Sequence, residues 1–253
     1  MDIKEGAKMP FLGHLEELRR RLIICFLAVG VGFAVSYYFS KPIFRILVNP
    51  LLDALPEGDR LIYTSLPEAF FTYLKVGLWG GIILALPVLF YQLWGFVAPG
   101  LYRNERRYVI PFVCWSTLMF AIGAVFGYFI VFPIGFRFFL GFSDDAIQAL
   151  PAVAKYFSFS LKLLFGFGLI FELPVVMVFL AKMGLINAQF LARQRKWAFL
   201  LIFVVGAVLT PPDVISQVLM ALPLLLLYEI SILLVRLVRR KKEKEREEAA
   251  AQV

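Results

Sequence analysis

Glu172 sits in the middle of LLFGFGLIFELPVVMVFLAK, residues 163–182, an apolar run that also contains Pro174. An ionised carboxylate at bilayer depth costs at least about 2.5–3.5 kcal/mol. Such a group must be neutral, paired or facing water, and it marks either a substrate or proton site or a neutral acid bonded to a neighbouring helix. Pro174 lacks a backbone donor and leaves the carbonyl of Ile170 without its helical partner. Together the two residues form a polar notch in one helix. Gln217, Glu229, Lys75 and Lys162 are the other polar groups inside apolar runs.

Two further stretches place acids among arginines. HLEELRRRL, residues 14–22, pairs Glu16 with Arg20 and Glu17 with Arg21 at i,i+4, each worth about 0.2–0.5 kcal/mol on a helix. By itself this reads as a self-neutralising interfacial helix leading into an apolar span. FVAPGLYRNERR, residues 96–107, holds Glu105 beside three arginines in a short turn, where Pro99 ends a helix and Gly100 permits a bend. By itself that reads as a loop ion pair.

The elements that carry these groups belong in a membrane. The 253-residue chain is 61% hydrophobic and 17% charged, with mean hydropathy +0.81. A soluble domain has about 45–50% apolar and about 25% charged residues. Six candidate spans follow, approximately 22–39, 74–97, 108–132, 156–181, 197–209 and 214–238. The connections 40–73 and 133–155 are long enough for short helices, and PEAFFTYLK, after Ser65, begins one. The last two spans are short. Residues 197–210 number 14, about 21 Å of helix, against a hydrocarbon core of about 30 Å. Between Asp213 and Glu229 there are 15 uncharged residues.

Basic residues fix the orientation. One side carries Lys4, Lys8, Arg19, Arg20, Arg21, Arg103, Arg106, Arg107, Lys182, Arg193, Arg195, Lys196 and the cluster 236–246. The other carries only Lys41, Arg45, Arg60, Arg137 and Lys155. Both termini are therefore expected in the cytoplasm. The same disposition accounts for the net charge of +8 without nucleic acid. The first span follows basic residues as a signal peptide would, but it ends in SYYFSK without a cleavage pattern, so it reads as uncleaved. Residues 1–239 form the membrane domain, and 240–253 a charged, solvated, disordered tail with phospholipid attraction as an extra role.

No enzyme site can be assembled. HExxH, GxSxG, a P-loop and an intramembrane aspartate pair are all missing from the sequence. His14 is the single histidine, which excludes a multi-histidine metal site. Cys25 and Cys114 lie in apolar runs and read as reduced packing residues. No cofactor is expected.

HLEELRRRL, FVAPGLYRNERR and TPPDVISQVLMALPLLLLYEI (residues 210–230), taken with FELP in the fourth span, resemble the TatC family, the large subunit of the twin-arginine protein translocase. The resemblance covers about residues 9–239. It implies an all-α integral membrane protein, a concave, glove-like bundle of six transmembrane helices, in a bacterial-type cytoplasmic membrane. It implies a receptor for twin-arginine signal peptides on folded cargo. The partners would be TatB-like and TatA-like single-span proteins and further copies of the chain, with export driven by the proton-motive force. Matching signal-peptide positions are Glu17, Glu105, Arg19, Phe96, Pro99, Leu101 and Tyr102. Outer-side family positions are Pro50, Phe70, Thr210 and Asp213, and Glu172 and Gln217 form the intramembrane polar set. Arginine is a planar, permanently charged fork suited to carboxylates, so acids at the cytoplasmic edge fit that role. The other readings are a proton-coupled secondary transporter of a small solute, with Glu172 as proton carrier, and a membrane-embedded enzyme.

Overall fold

The computed structural model describes residues 11–56, 61–97, 109–142, 149–209 and 214–251. Its described residues are almost wholly helical. In chain order they form α1 (Phe11–Tyr38), α2 (Ser40–Leu52), α3 (Glu68–Val97), α4 (Val109–Phe126), a π-helical turn (Gly127–Val131), α5 (Phe132–Leu140), α6 (Val153–Phe171), α7 (Leu173–Lys182), α8 (Ala188–Arg193), α9 (Arg195–Leu209) and α10 (Val214–Ala251). Five stretches are long and apolar enough to cross a bilayer: Gly13–Tyr38, Glu68–Val97, Val109–Leu140, Val153–Lys182 and Gln217–Arg239.

Local chemistry sets the breaks. HLEELRRRL is the start of α1 itself, continuous with the first span. PEAFFTYLK does not form a separate short helix: its Glu68 opens the 30-residue α3. The two connections do carry short helices, as α2 and α5. The Glu172–Pro174 notch is a true interruption, with Glu172 as the turn residue between α6 and α7. α7 closes on Gly184 at φ +78°, where the Leu185 amide reaches back 3.0 Å to the Leu180 carbonyl. Only glycine takes that conformation without strain. α8 is capped by Asn187, whose Oδ1 accepts the Phe190 amide at 2.7 Å.

α9 has 15 residues, about 22 Å, and is as short as expected. Its C-terminal end is covered by Lys162, which donates to the Val208 carbonyl at 2.5 Å. This gives the intramembrane lysine a partner where the helix dipole favours a cation. The uncharged stretch of α10 is also short, but the helix is not. It continues past Glu229, which pairs with Arg195 at 2.8 Å, and its backbone stays helical to Ala251.

The chain divides into two compact units, the described parts of Met1–Lys41 with Tyr73–Thr117, and of Pro42–Thr72 with Leu118–Val253. In the first unit, α1 and α3 meet at Gly32 and Gly81, where a Cβ on Gly81 would lie 2.5 Å from the Phe33 amide nitrogen. Such close backbone approach is how helices associate in lipid, which offers no hydrophobic drive between them. Trp94 of α3 donates to Ser116 of α4 at 3.0 Å. In the second unit α6 is the central helix. Its Gly168 faces the Phe120 ring, and its Phe167 carbonyl faces Gly123 of α4. Phe126 packs on Phe167 and Phe171.

Candidate functional site

The HLEELRRRL motif and the last turns of α3 meet within the first unit. Arg21, on α1, directs its guanidinium at the last turns of α3. Its Nε and Nη2 donate to Glu17 Oε1 at 2.9 and 2.6 Å. Nη1 donates to Gln92 Oε1 at 3.1 Å and to the Gln92 carbonyl at 3.3 Å, and Nη2 also reaches the Gly95 carbonyl at 3.1 Å. All five N–H groups of the arginine are thereby used. The Gly95 carbonyl belongs to the last turn of α3, where intrahelical donors run out. Gly95 makes room for this contact, since a Cβ there would lie 2.6 Å from Nη1.

Glu17 is thus positioned rather than floppy. Its Oε1 is held by Arg21, while Oε2 lies 3.9 Å from His14 Nδ1. The His14 ring stacks on Phe96 at 4.3 Å, so the predicted Glu17 and Phe96 do come together. The side chain of Glu17 remains 24% exposed, enough to accept a further donor on Oε2. Arg19 is exposed. Glu16 and Arg20, the other i,i+4 pair read from the sequence, are both exposed and do not come within ion-pair distance.

Within the second unit, Pro50 interrupts the hydrogen bonding of α2 and leaves the Ile46 carbonyl without an i+4 amide. Tyr128 Oη donates to that same carbonyl at 2.7 Å. Tyr128 stands on the π-helical turn, where the Phe132 amide bonds five residues back to Gly127, directly before Pro133 at the start of α5. A neighbouring bond, Tyr156 Oη to the Leu47 carbonyl at 2.6 Å, ties α2 to α6. Glu68, 6% exposed, forms a second knot. Its Oε2 accepts from the Thr64 amide at 2.5 Å, Thr64 Oγ1 at 2.9 Å and the Ser65 amide at 3.2 Å, and its Oε1 from the Ala154 amide at 2.7 Å. Beside it, Ile62 and Ala152 form a parallel bridge. Phe70, two residues on, is 55% exposed.

In the apolar depth, Glu172 is buried at 6% exposure. Gln217 Nε2 donates to the Phe203 carbonyl at 2.9 Å, joining α10 to α9 beside Gly206.

The family model described as "Sec-independent protein translocase protein (TatC)" matches residues 13–223. The chain belongs to the TatC family. The TatC protein of Desulforapulum autotrophicum is 55% identical over 247 residues, covering 98% of this chain and 92% of that one. The TatC of Escherichia coli strain K12 is 42% identical over 223 residues, covering 88% and 86%. A crystal structure titled "Twin Arginine Translocase Receptor- TatC" matches with TM-score 0.79 at 46% identity, covering 89% of this chain and 99% of its own. The chain is accordingly a multi-pass membrane protein of the TatC type.

Of the residues expected from the TatC resemblance, Glu17, Arg19, Phe96, Pro50, Phe70, Glu172 and Gln217 are placed by the structure. Pro99, Leu101, Tyr102, Glu105, Thr210 and Asp213 lie outside the described residues. Sequence reasoning passed over Arg21, Gln92, Gly95 and His14 as the groups that meet Glu17 and Phe96, and Tyr128 and Glu68 as the groups that tie α2, α3 and α6 in the second unit. Arg21 carried a signal, its i,i+4 spacing from Glu17. Gln92 carried none, because it sits 71 positions away.

Proposed function

We infer that this chain is the receptor subunit of a twin-arginine translocase in a bacterial-type cytoplasmic membrane, with both termini in the cytoplasm. It binds the paired arginines of signal peptides on folded cargo at the α1–α3 edge. It then organises TatB-like and TatA-like single-span partners, with other copies of itself, for proton-motive-force-driven export. It does so as a translocase component rather than as an enzyme.

The observation that carries the recognition step is the half-occupied Glu17 carboxylate. Arg21 fixes one oxygen and the orientation of the group, leaving the other for an incoming guanidinium. A preorganised acceptor costs a ligand less ordering entropy than a free side chain would. Glu105, in the sequence between α3 and α4, supplies the second acid on this reading, together with Arg19, Phe96, Pro99, Leu101 and Tyr102. The apolar part of the signal peptide packs along helices, as spans do in lipid, rather than through a pore. The solute-transporter reading falls away because the relatives are translocase proteins.

The test is a photo-crosslinker in a signal peptide, scored against full-length chain in membranes. Crosslinking should depend on both peptide arginines. A peptide carrying two lysines that crosslinks equally well would overturn the assignment.

A further inference from the structure

A cavity of about 290 Å³ opens between α2 and the π-turn–α5 segment. Its wall includes an acid and a base, Asp53 at the end of α2 and Arg137 on α5, with the Asn49 amide beside them. Pro50, Phe129 and Pro133 supply the apolar part. Asp53 and Arg137 are both exposed and do not reach ion-pair distance of each other. Two opposite charges in one cleft that do not neutralise each other favour neither a simple anion nor a simple cation. They fit a ligand that carries both signs a few ångströms apart. The cavity lies just below the roughly 300–1,000 Å³ of drug-sized sites, so it suits a small head rather than a folded chain.

The surroundings say what that head is attached to. Phe129 is 67% exposed, Ile46 57%, and Ile130 and Ile134 47% each. These apolar side chains flank the cleft on the same elements, and in a membrane they face acyl chains. The cleft is also prebuilt, because the Tyr128–Ile46 bond fastens α2 to the π-turn behind it. π-Turns of this kind are frequent at functional sites.

We propose that the cleft lined by Asp53, Asn49 and Arg137 binds the headgroup of a zwitterionic aminophospholipid, phosphate on Arg137 and primary ammonium on Asp53. The guanidinium fork matches phosphate oxygens. The carboxylate accepts N–H donors, which a primary ammonium has and a quaternary one lacks. The orientation inferred above places the lipid in the outer leaflet, but the binding itself needs only the cleft and a bilayer. Its loss would therefore leave signal-peptide capture at Glu17 intact.

The full-length chain in detergent is titrated with phosphatidylethanolamine, phosphatidylcholine and phosphatidylglycerol of matched acyl chains, and bound lipid is counted by native mass spectrometry. Phosphatidylethanolamine should bind several-fold more tightly than either of the others. Asp53→Asn should erase the preference over phosphatidylglycerol, and Arg137→Gln should weaken all three phospholipids about tenfold, a change of about 1.4 kcal/mol. Both residues are exposed, so the variants should keep the wild-type unfolding midpoint, which is measured alongside. Water-soluble phosphoethanolamine is the competitor arm. Equal affinity for it would assign the cleft to a free solute instead and overturn the lipid proposal. Equal binding of all three lipids, or wild-type lipid binding by both variants, would also overturn it. Displacement of bound lipid by a partner's single-span helix, with neither Asp53 nor Arg137 mattering, would mark a protein interface and do the same.

Discussion

Removing the charge from Glu17 while keeping its shape separates recognition from scaffolding. In Glu17→Gln the amide oxygen can still accept from Arg21, so the α1–α3 anchor at Gln92 and Gly95 persists. What disappears is the anionic oxygen facing His14 and the space a peptide guanidinium would enter. A hydrogen bond to a charged group contributes about 1.5–3 kcal/mol. Peptide affinity should therefore fall roughly tenfold to a hundredfold. The assay is fluorescence titration of a labelled twin-arginine peptide against full-length chain in nanodiscs. Glu16→Gln is the control: Glu16 is exposed, lies about 100° around the helix, and should change affinity little. A second control, Gln92→Ala, loosens Arg21 but leaves the Glu17 carboxylate, so it should cost less than Glu17→Gln. Equal losses in Glu16→Gln and Glu17→Gln would mean a diffuse field rather than a site. If Gln92→Ala cost as much as Glu17→Gln, Glu17 would matter only as the counter-ion of Arg21, and the recognition argument would fail.

Tyr128→Phe should cost about 0.5–1.5 kcal/mol of stability, but almost nothing in a Pro50→Ala background, where the residue-50 amide can bond Ile46; equal costs in thermal unfolding would disprove the substitution of one donor for the other. Glu172→Gln should keep most transport of a folded twin-arginine reporter, whereas Glu172→Leu should lose most of it; normal export by the Leu variant would reduce the buried acid to packing. Glu68→Ala should lower the unfolding midpoint, because four donors from two segments lose their acceptor, and an unchanged midpoint would show that water replaces it without cost. A cysteine at position 104 should react with a reagent confined to the cytoplasm and one at 145 with a reagent confined outside; labelling of 104 from outside would invert the proposed orientation.

The sequence made the helices legible because their driving pattern is local. Apolar runs of bilayer length set α1, α3 and α6, and the Glu172–Pro174 pair announced the break between α6 and α7. Boundaries shifted where polar residues joined a helix instead of ending it. α1 absorbs HLEELRRRL because Glu17 and Arg21 neutralise each other on one face. α10 runs through Glu229 because Arg195 meets it from α9. That second pairing spans 34 positions and obeys no periodicity, so no reading along the chain could supply it.

The site shows the same division at the level of single atoms. A carboxylate four residues before an arginine is visible in any sequence, and so is a proline inside a helix. What each does depends on the group its chemistry leaves unmatched, and the partner for that group comes from elsewhere. For Pro50 the unmatched group is the Ile46 carbonyl, and the donor is a tyrosine 82 positions on. That tyrosine sits within the π-turn before Pro133, where one extra residue is inserted into the helix. One missing amide in α2 and one irregular turn before α5 are thus two halves of a single contact. Either proline, read alone, says only that a hydrogen bond has been lost.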